Sequence, residues 1–157
     1  MSFFRTSRPG FSLLEGLIVL AMIGLLAAFA AVSLNSARAR TRDAQRLANM
    51  STMRSALQLY WLEKATYPAT NEGVNLGQAA NKTEVLTSNG FAARAEAQGN
   101  IYMPLVPTGP KVGEFYVYKG GPNGYSIRFK TESDTEFGKA NIYYMHSNGI
   151  DRDETLK

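Results

Sequence analysis

The chain has 157 residues, enough for one modest domain plus an extended element but not for two cores, and it contains no cysteine. A disulfide framework and a thiolate metal site are therefore excluded. The net charge of +4 does not describe a basic nucleic-acid-binding head, because from residue 63 onward ten Lys and Arg stand against eleven Asp and Glu, and the excess lies in the first third.

Residues 1–10 carry Arg5 and Arg8 and end on Pro9-Gly10. From Gly16 to Val32 there are seventeen residues without a polar side chain, and with its flanks the stretch from Phe11 to Leu34 is 24 residues long. As a helix it spans about 36 Å, more than the roughly 30 Å of a bilayer's hydrocarbon core. Proline is absent from it, and Gly16 and Gly24 are mild weak points, each costing about 1 kcal/mol relative to alanine. One carboxylate, Glu15, stands at its head. Three readings fit: a signal peptide cut near Ala28-Phe29-Ala30, a plain membrane anchor, or an anchor that later becomes an assembly surface. A carboxylate there either stays wet at the membrane edge or needs a partner.

The helical pattern does not stop at Leu34. Residues 35–62 contain no glycine or proline and are rich in Ala, Arg, Leu, Met and Gln, which favour helix. Ala44, Leu47, Met50, Met53, Leu57 and Tyr60 recur at steps of three and four and line one face. Ser36, Arg38, Arg42, Arg46 and Asn49 make the polar side. The pattern predicts one helix over 11–62, roughly 78 Å long, and Tyr67-Pro68 ends it because the residue before proline is pushed out of helical geometry.

Residues 67–100 read as a polar loop with short helices around 84–86 and 92–98. Over 101–148 the period changes to two, with strands at 114–119, 125–130 and 141–145 joined through KGGPNGY and TESDTEFGK. Tyr125, Ile127 and Phe129 face inward and Ser126, Arg128 and Lys130 outward. A three- or four-stranded antiparallel sheet laid on the Leu47–Tyr60 stripe gives an α+β fold, with a polar tail at 149–157.

Candidate chemistry is sparse. No phosphate-binding glycine loop or nucleophile elbow is present, and an enzymatic reading has no residue to attach to. His146, the sole histidine, falls at a strand end and reads as a surface or sheet residue. Asn148, Asp151, Asp153 and Glu154 are oxygen-rich calcium candidates without EF-hand spacing, and a solvated acidic tail is the simpler reading. Tyr116, Tyr118, Tyr125, Tyr143 and Tyr144 can stack bases in principle, but tyrosines are ordinary sheet residues, and nucleic acid is not expected as a partner. The sequon Asn81-Lys82-Thr83 is a frequent chance match.

A short basic leader ending in glycine, then Gly10-Phe11-Ser12-Leu13-Leu14-Glu15 and a long apolar helix, resembles the N-terminal region of type IV pilins and pseudopilins. The resemblance implies a leader at 1–10, a transmembrane and filament-core helix at 11–34, its amphipathic half at 35–66 and a head at 67–157. It implies that prepilin peptidase cuts between Gly10 and Phe11, that Phe11 is N-methylated, and that Glu15 then pairs with the Phe11 amine of a neighbouring subunit. The implied partners are copies of the chain or other pilins, the inner-membrane assembly machinery, and membrane lipid before assembly. The implied locations are the cytoplasmic membrane for the precursor, then an extracellular pilus or a periplasmic pseudopilus. No cofactor is implied, although some pseudopilins hold calcium near the C-terminus. Two departures stand out: Pro9 occupies a place often basic, and no proline interrupts the helix. The family orientation keeps residues 1–10 in the cytoplasm, whereas Arg38, Arg40, Arg42 and Arg46 flank the other end and, read locally, favour the reverse. The competing reading is a secreted soluble binding protein released by signal peptidase near Ala30.

Overall fold

The computed structural model describes residues 10–70 and 72–157, so the expected leader, apart from Gly10, lies outside the described residues. Helix α1 runs Leu13–Lys64, 52 residues, displaced by two from the expected bounds. It opens with the Gly16 amide donating to the Ser12 carbonyl at 3.1 Å and continues through Gly16 and Gly24 without a break. It closes at Ala65, whose φ of 53° is left-handed and stops propagation.

The chain divides into two compact units at Arg38/Ala39. In the first, every side chain from Phe11 to Arg38 is exposed, including Leu13 at 88% and Phe29 at 68%. An apolar surface of this extent is not stable in water and marks a lipid or protein contact. The helix is long and apolar enough to cross a membrane.

In the second unit the remainder of α1 packs on two small antiparallel sheets, an α+β arrangement. The strands are β1 Val74–Asn75, β2 Val85–Thr87, β3 Gly90–Ala92, β4 Ile101–Met103, β5 Val117–Gly121, β6 Gly124–Lys130, β7 Ile142–Met145 and β8 Ile150–Asp151. One sheet has the order β1-β5-β6-β7-β8 and the other β3-β2-β4. The three expected strands are β5, β6 and β7, but the main sheet has five strands, and the second sheet was not anticipated. Residues 84–86 are not helical. Val85, Leu86 and Thr87 are all buried, and this triplet, two of whose residues are β-branched, ladders with β3 through Leu86↔Phe91 and with β4 through Leu86↔Met103. The helix expected over 92–98 shrinks to a single 3₁₀ turn, Arg94–Glu96.

The core joins Met50, Met53, Leu57 and Tyr60 of α1 to Tyr118, Tyr125, Ile127, Phe129, Tyr143 and Met145 of the main sheet. Two inward assignments differ from the sequence pattern. Ala44 is exposed and Leu47 half-buried, because Asp43 and Arg46 take the inward positions of that turn. Ser126, expected on the wet face, is buried. The chain returns across that end of the sheet, where the Lys157 carbonyl accepts from the Tyr125 and Ser147 amides, each at 3.4 Å.

Candidate functional site

Gly10, Phe11 and Ser12 precede α1, and Phe11 is 74% exposed. Glu15 lies in the first helical turn with its side chain in the open. The exposed amides at a helix N-terminus favour a negative charge there by about 0.3–1 kcal/mol. Among the described residues Glu15 has no ion-pair partner.

The most developed charged site lies where α1 enters the second unit. Arg46, expected on the polar side, is 2% exposed. Its Nη1 donates to Asp43 at 2.7 Å, its Nε and Nη2 donate to Glu114 at 2.7 and 2.8 Å, and Nη2 also donates to Glu132 at 2.6 Å. Glu132 further accepts from Arg42 at 3.0 and 2.6 Å and pairs with Lys111 at 2.8 Å. Asp43 accepts from the Glu132 and Ser133 amides at 3.0 and 2.7 Å and from the Ser133 hydroxyl.

Three cations and three carboxylates thus meet and cancel. Burial pushes the Asp43 carboxyl up, but the hydrogen bonds from Ser133, Glu132 and Arg46 outweigh it and hold the group below its ordinary value. Glu132 is held well below the carboxylate range, chiefly by Arg42 and then by Lys111 and Arg46. Burial opposes the Arg46 charge, and its three carboxylates more than reverse that. Each cation of the cluster is engaged with at least one carboxylate, so the arrangement is a strut tying α1 to the loops before β5 and after β6. It presents neither a nucleophile nor a base. The i,i+3 spacing of Asp43 and Arg46 was visible in the sequence; the carboxylates 68 and 86 residues further on were not.

At the other end of the main sheet His146 is fully buried, not at the surface. Its Nδ1 lies 3.0 Å from the Tyr125 carbonyl, and its Nε2 lies 3.1 Å from Asp151 and 2.9 Å from the Asp153 carbonyl. The Lys157 ammonium bridges Asp151 at 2.6 Å and Asp153 at 2.9 Å. Asp153 is held well below its ordinary range, chiefly by Lys157 and then by Thr155. Of the calcium candidates, Asn148 and Glu154 are exposed, and Asp151 and Asp153 already share a resident cation. Among the described residues no group of three His, Cys, Asp or Glu side chains that could hold a metal ion is found. Tyr116, Tyr118, Tyr125 and Tyr143 are buried and so closed to base stacking, whereas Tyr144 is half-buried. Asn81 of the sequon is exposed.

No family model and no solved structure matches the chain. It is similar to the type II secretion system core protein G of three bacteria. The Aeromonas hydrophila protein is 25% identical over 144 residues, covering 88% of this chain and 96% of that one. The Escherichia coli K12 protein is 28% identical over 121 residues, 73% and 82% of the two chains. The Klebsiella michiganensis protein is 27% identical over 130 residues, 83% and 87% of the two chains. The similarity runs through helix and head alike, and it agrees with the resemblance to type IV pilins and pseudopilins carried by the N-terminal residues.

Proposed function

We propose that the chain is a structural subunit of a secretion pseudopilus or a closely related type IV filament. The observation that carries this reading is the helix itself. Its side chains from Phe11 to Leu34 are apolar almost throughout, exposed, and headed by a carboxylate without an ion-pair partner among the described residues. Lipid covers that surface in the precursor, and neighbouring helices cover it in the filament.

Prepilin peptidase cuts between Gly10 and Phe11, and the new Phe11 amine is methylated. In the packed filament an unpaired Glu15 would be severely unfavourable. The Phe11 amine of a neighbour neutralises it, and removing one partner of such a buried pair costs about 3–5 kcal/mol. Glu15 therefore fixes the axial register of one subunit on the next. The role is one of assembly, with the inner-membrane machinery and other pilins as partners and the periplasm or cell surface as the destination. No cofactor enters it.

Substitution of Glu15 tests the reading. The Glu15→Ala chain is expected to be processed, to stay in the membrane and to yield no filaments, and wild-type filament yield from it refutes the role. Intact mass supplies the second arm: a mature chain beginning at methylated Phe11 supports the reading, and one beginning after Ala30 overturns it.

A further inference from the structure

The first four arginines of α1 divide into two pairs with different surroundings. Arg42 is held by Glu132, and Arg46 by Asp43, Glu114 and Glu132. Arg38 and Arg40 are exposed, and neither side chain has an ion-pair partner among the described residues. Between Glu15 and Asp43 the chain carries no carboxylate. Asp43 itself is buried and already bonded to Arg46, Glu132 and Ser133. The charge of Arg38 and Arg40 is thus paired with no carboxylate among the described residues.

Their place on the helix says what meets them. The apolar run closes at Leu34, and the helical rise puts Arg38 about 6 Å and Arg40 about 9 Å beyond it. Ser33, Asn35 and Ser36 form a polar step at that end, where the Ser36 hydroxyl donates to the Ser33 carbonyl at 2.9 Å. The run of about 36 Å exceeds a hydrocarbon core of about 30 Å, so with the run centred its end enters the headgroup layer. On a helix the Cα–Cβ bonds tilt toward the N-terminus. Both arginines therefore lean back toward that layer, as snorkelling cations do. Two residues at about 100° each set them about 160° apart around the axis, so the pair meets lipid on both sides of the helix.

Guanidinium chemistry then selects among lipids. The planar fork of arginine matches a pair of phosphate oxygens. A zwitterionic headgroup holds its own cation beside its phosphate, whereas a headgroup of net negative charge adds attraction to the fit. We propose that Arg38 and Arg40 form a collar that binds the phosphates of anionic phospholipids where α1 leaves the bilayer. This contact belongs to the membrane stage of the filament reading and rests on it. Passage into the filament breaks it, so headgroup charge sets how firmly the waiting subunit is held.

The test uses the full-length chain in nanodiscs of phosphatidylcholine and phosphatidylglycerol in equal amounts. Arg5→Gln and Arg8→Gln remove the cations at the other end of the span. Native mass spectrometry counts the lipids that stay bound when the disc is stripped. Phosphatidylglycerol is expected to be enriched among them by about fivefold for each arginine engaged. Adding Arg38→Gln and Arg40→Gln is expected to abolish the enrichment and to leave the urea midpoint of the head unchanged. Equal retention of the two lipids before that change overturns the collar and leaves the filament reading standing. Enrichment that survives the loss of both arginines overturns their assignment. A chain that stays in solution and enters no nanodisc overturns both readings.

Discussion

Replacing Arg46 by leucine separates the contribution of the ion cluster from that of the apolar core beside it. The substitution removes four short hydrogen bonds to three carboxylates, but these acids do not suffer equally. Glu114 and Glu132 have side chains 22% and 19% exposed, and Glu132 keeps Arg42 and Lys111, so water and the remaining cations recover part of the loss. Asp43 is 3% exposed and keeps only the Glu132 and Ser133 donors. The expected cost is therefore near the lower end of the roughly 3–5 kcal/mol typical of a broken buried pair, about 3 kcal/mol. A domain stable by about 5–15 kcal/mol feels that strongly. With a urea m-value of about 1–3 kcal/mol/M the midpoint should fall by about 1–3 M. Urea unfolding of the full chain in detergent micelles, followed by near-ultraviolet circular dichroism of the buried tyrosines, measures it. Arg46→Lys should fall between the two, because one ammonium cannot reproduce the forked contacts of a guanidinium. An Arg46→Leu midpoint within about 0.3 M of wild type would refute the argument and make the cluster ornamental.

The same cluster should make the head acid-sensitive. The folded pKa values of Asp43 and Glu132 are lowered, so their stabilisation is complete above the unfolded carboxylate values of about 4 and is lost as the pH falls through and below them; a urea midpoint equal at pH 7 and pH 3 contradicts this, and Asp43→Asn should flatten the dependence. Gly120→Ala should destabilise by about 1–3 kcal/mol, since a Cβ there would lie 2.0 Å from the Tyr118 hydroxyl and 2.6 Å from the Pro68 carbonyl; an unshifted melting temperature counts against the packing described. Because Lys157 already bridges Asp151 and Asp153, EDTA and added calcium should leave the melting temperature unchanged, and a calcium-dependent rise of several degrees would show that the ammonium can be displaced.

The helix was legible because its two halves carry signals summed over many residues: an unbroken apolar run, then a three-to-four periodicity ended by Tyr67-Pro68. Strands β5, β6 and β7 were legible for the same reason, since alternation persists along them. The second sheet was not, because β2, β3 and β4 have three residues each, too few for a period to declare itself, and Val85-Leu86-Thr87 fits either helix or strand until its neighbours pair with it. The misplacement of Arg46 has another cause. A stripe drawn from apolar residues assigns every charge to solvent, yet Asp43 and Arg46 belong to the inward side of α1 once Glu114 and Glu132 arrive from the sheet. His146 was misjudged likewise, since the segment that buries it is itself polar. The N-terminal motif, by contrast, is local in sequence and could be read whole.

The position of the Arg46 cluster has a mechanical meaning. Asp43 is the first buried residue of the long helix, so a pull delivered through the N-terminal segment reaches the head at this turn before it reaches any apolar contact. Arg42, Asp43 and Arg46 hold that turn to two separate loops through directed, short-range bonds, which resist a small displacement more stiffly than sliding apolar side chains do. In the filament proposed above, the subunit is thus reinforced at the point where load enters its head.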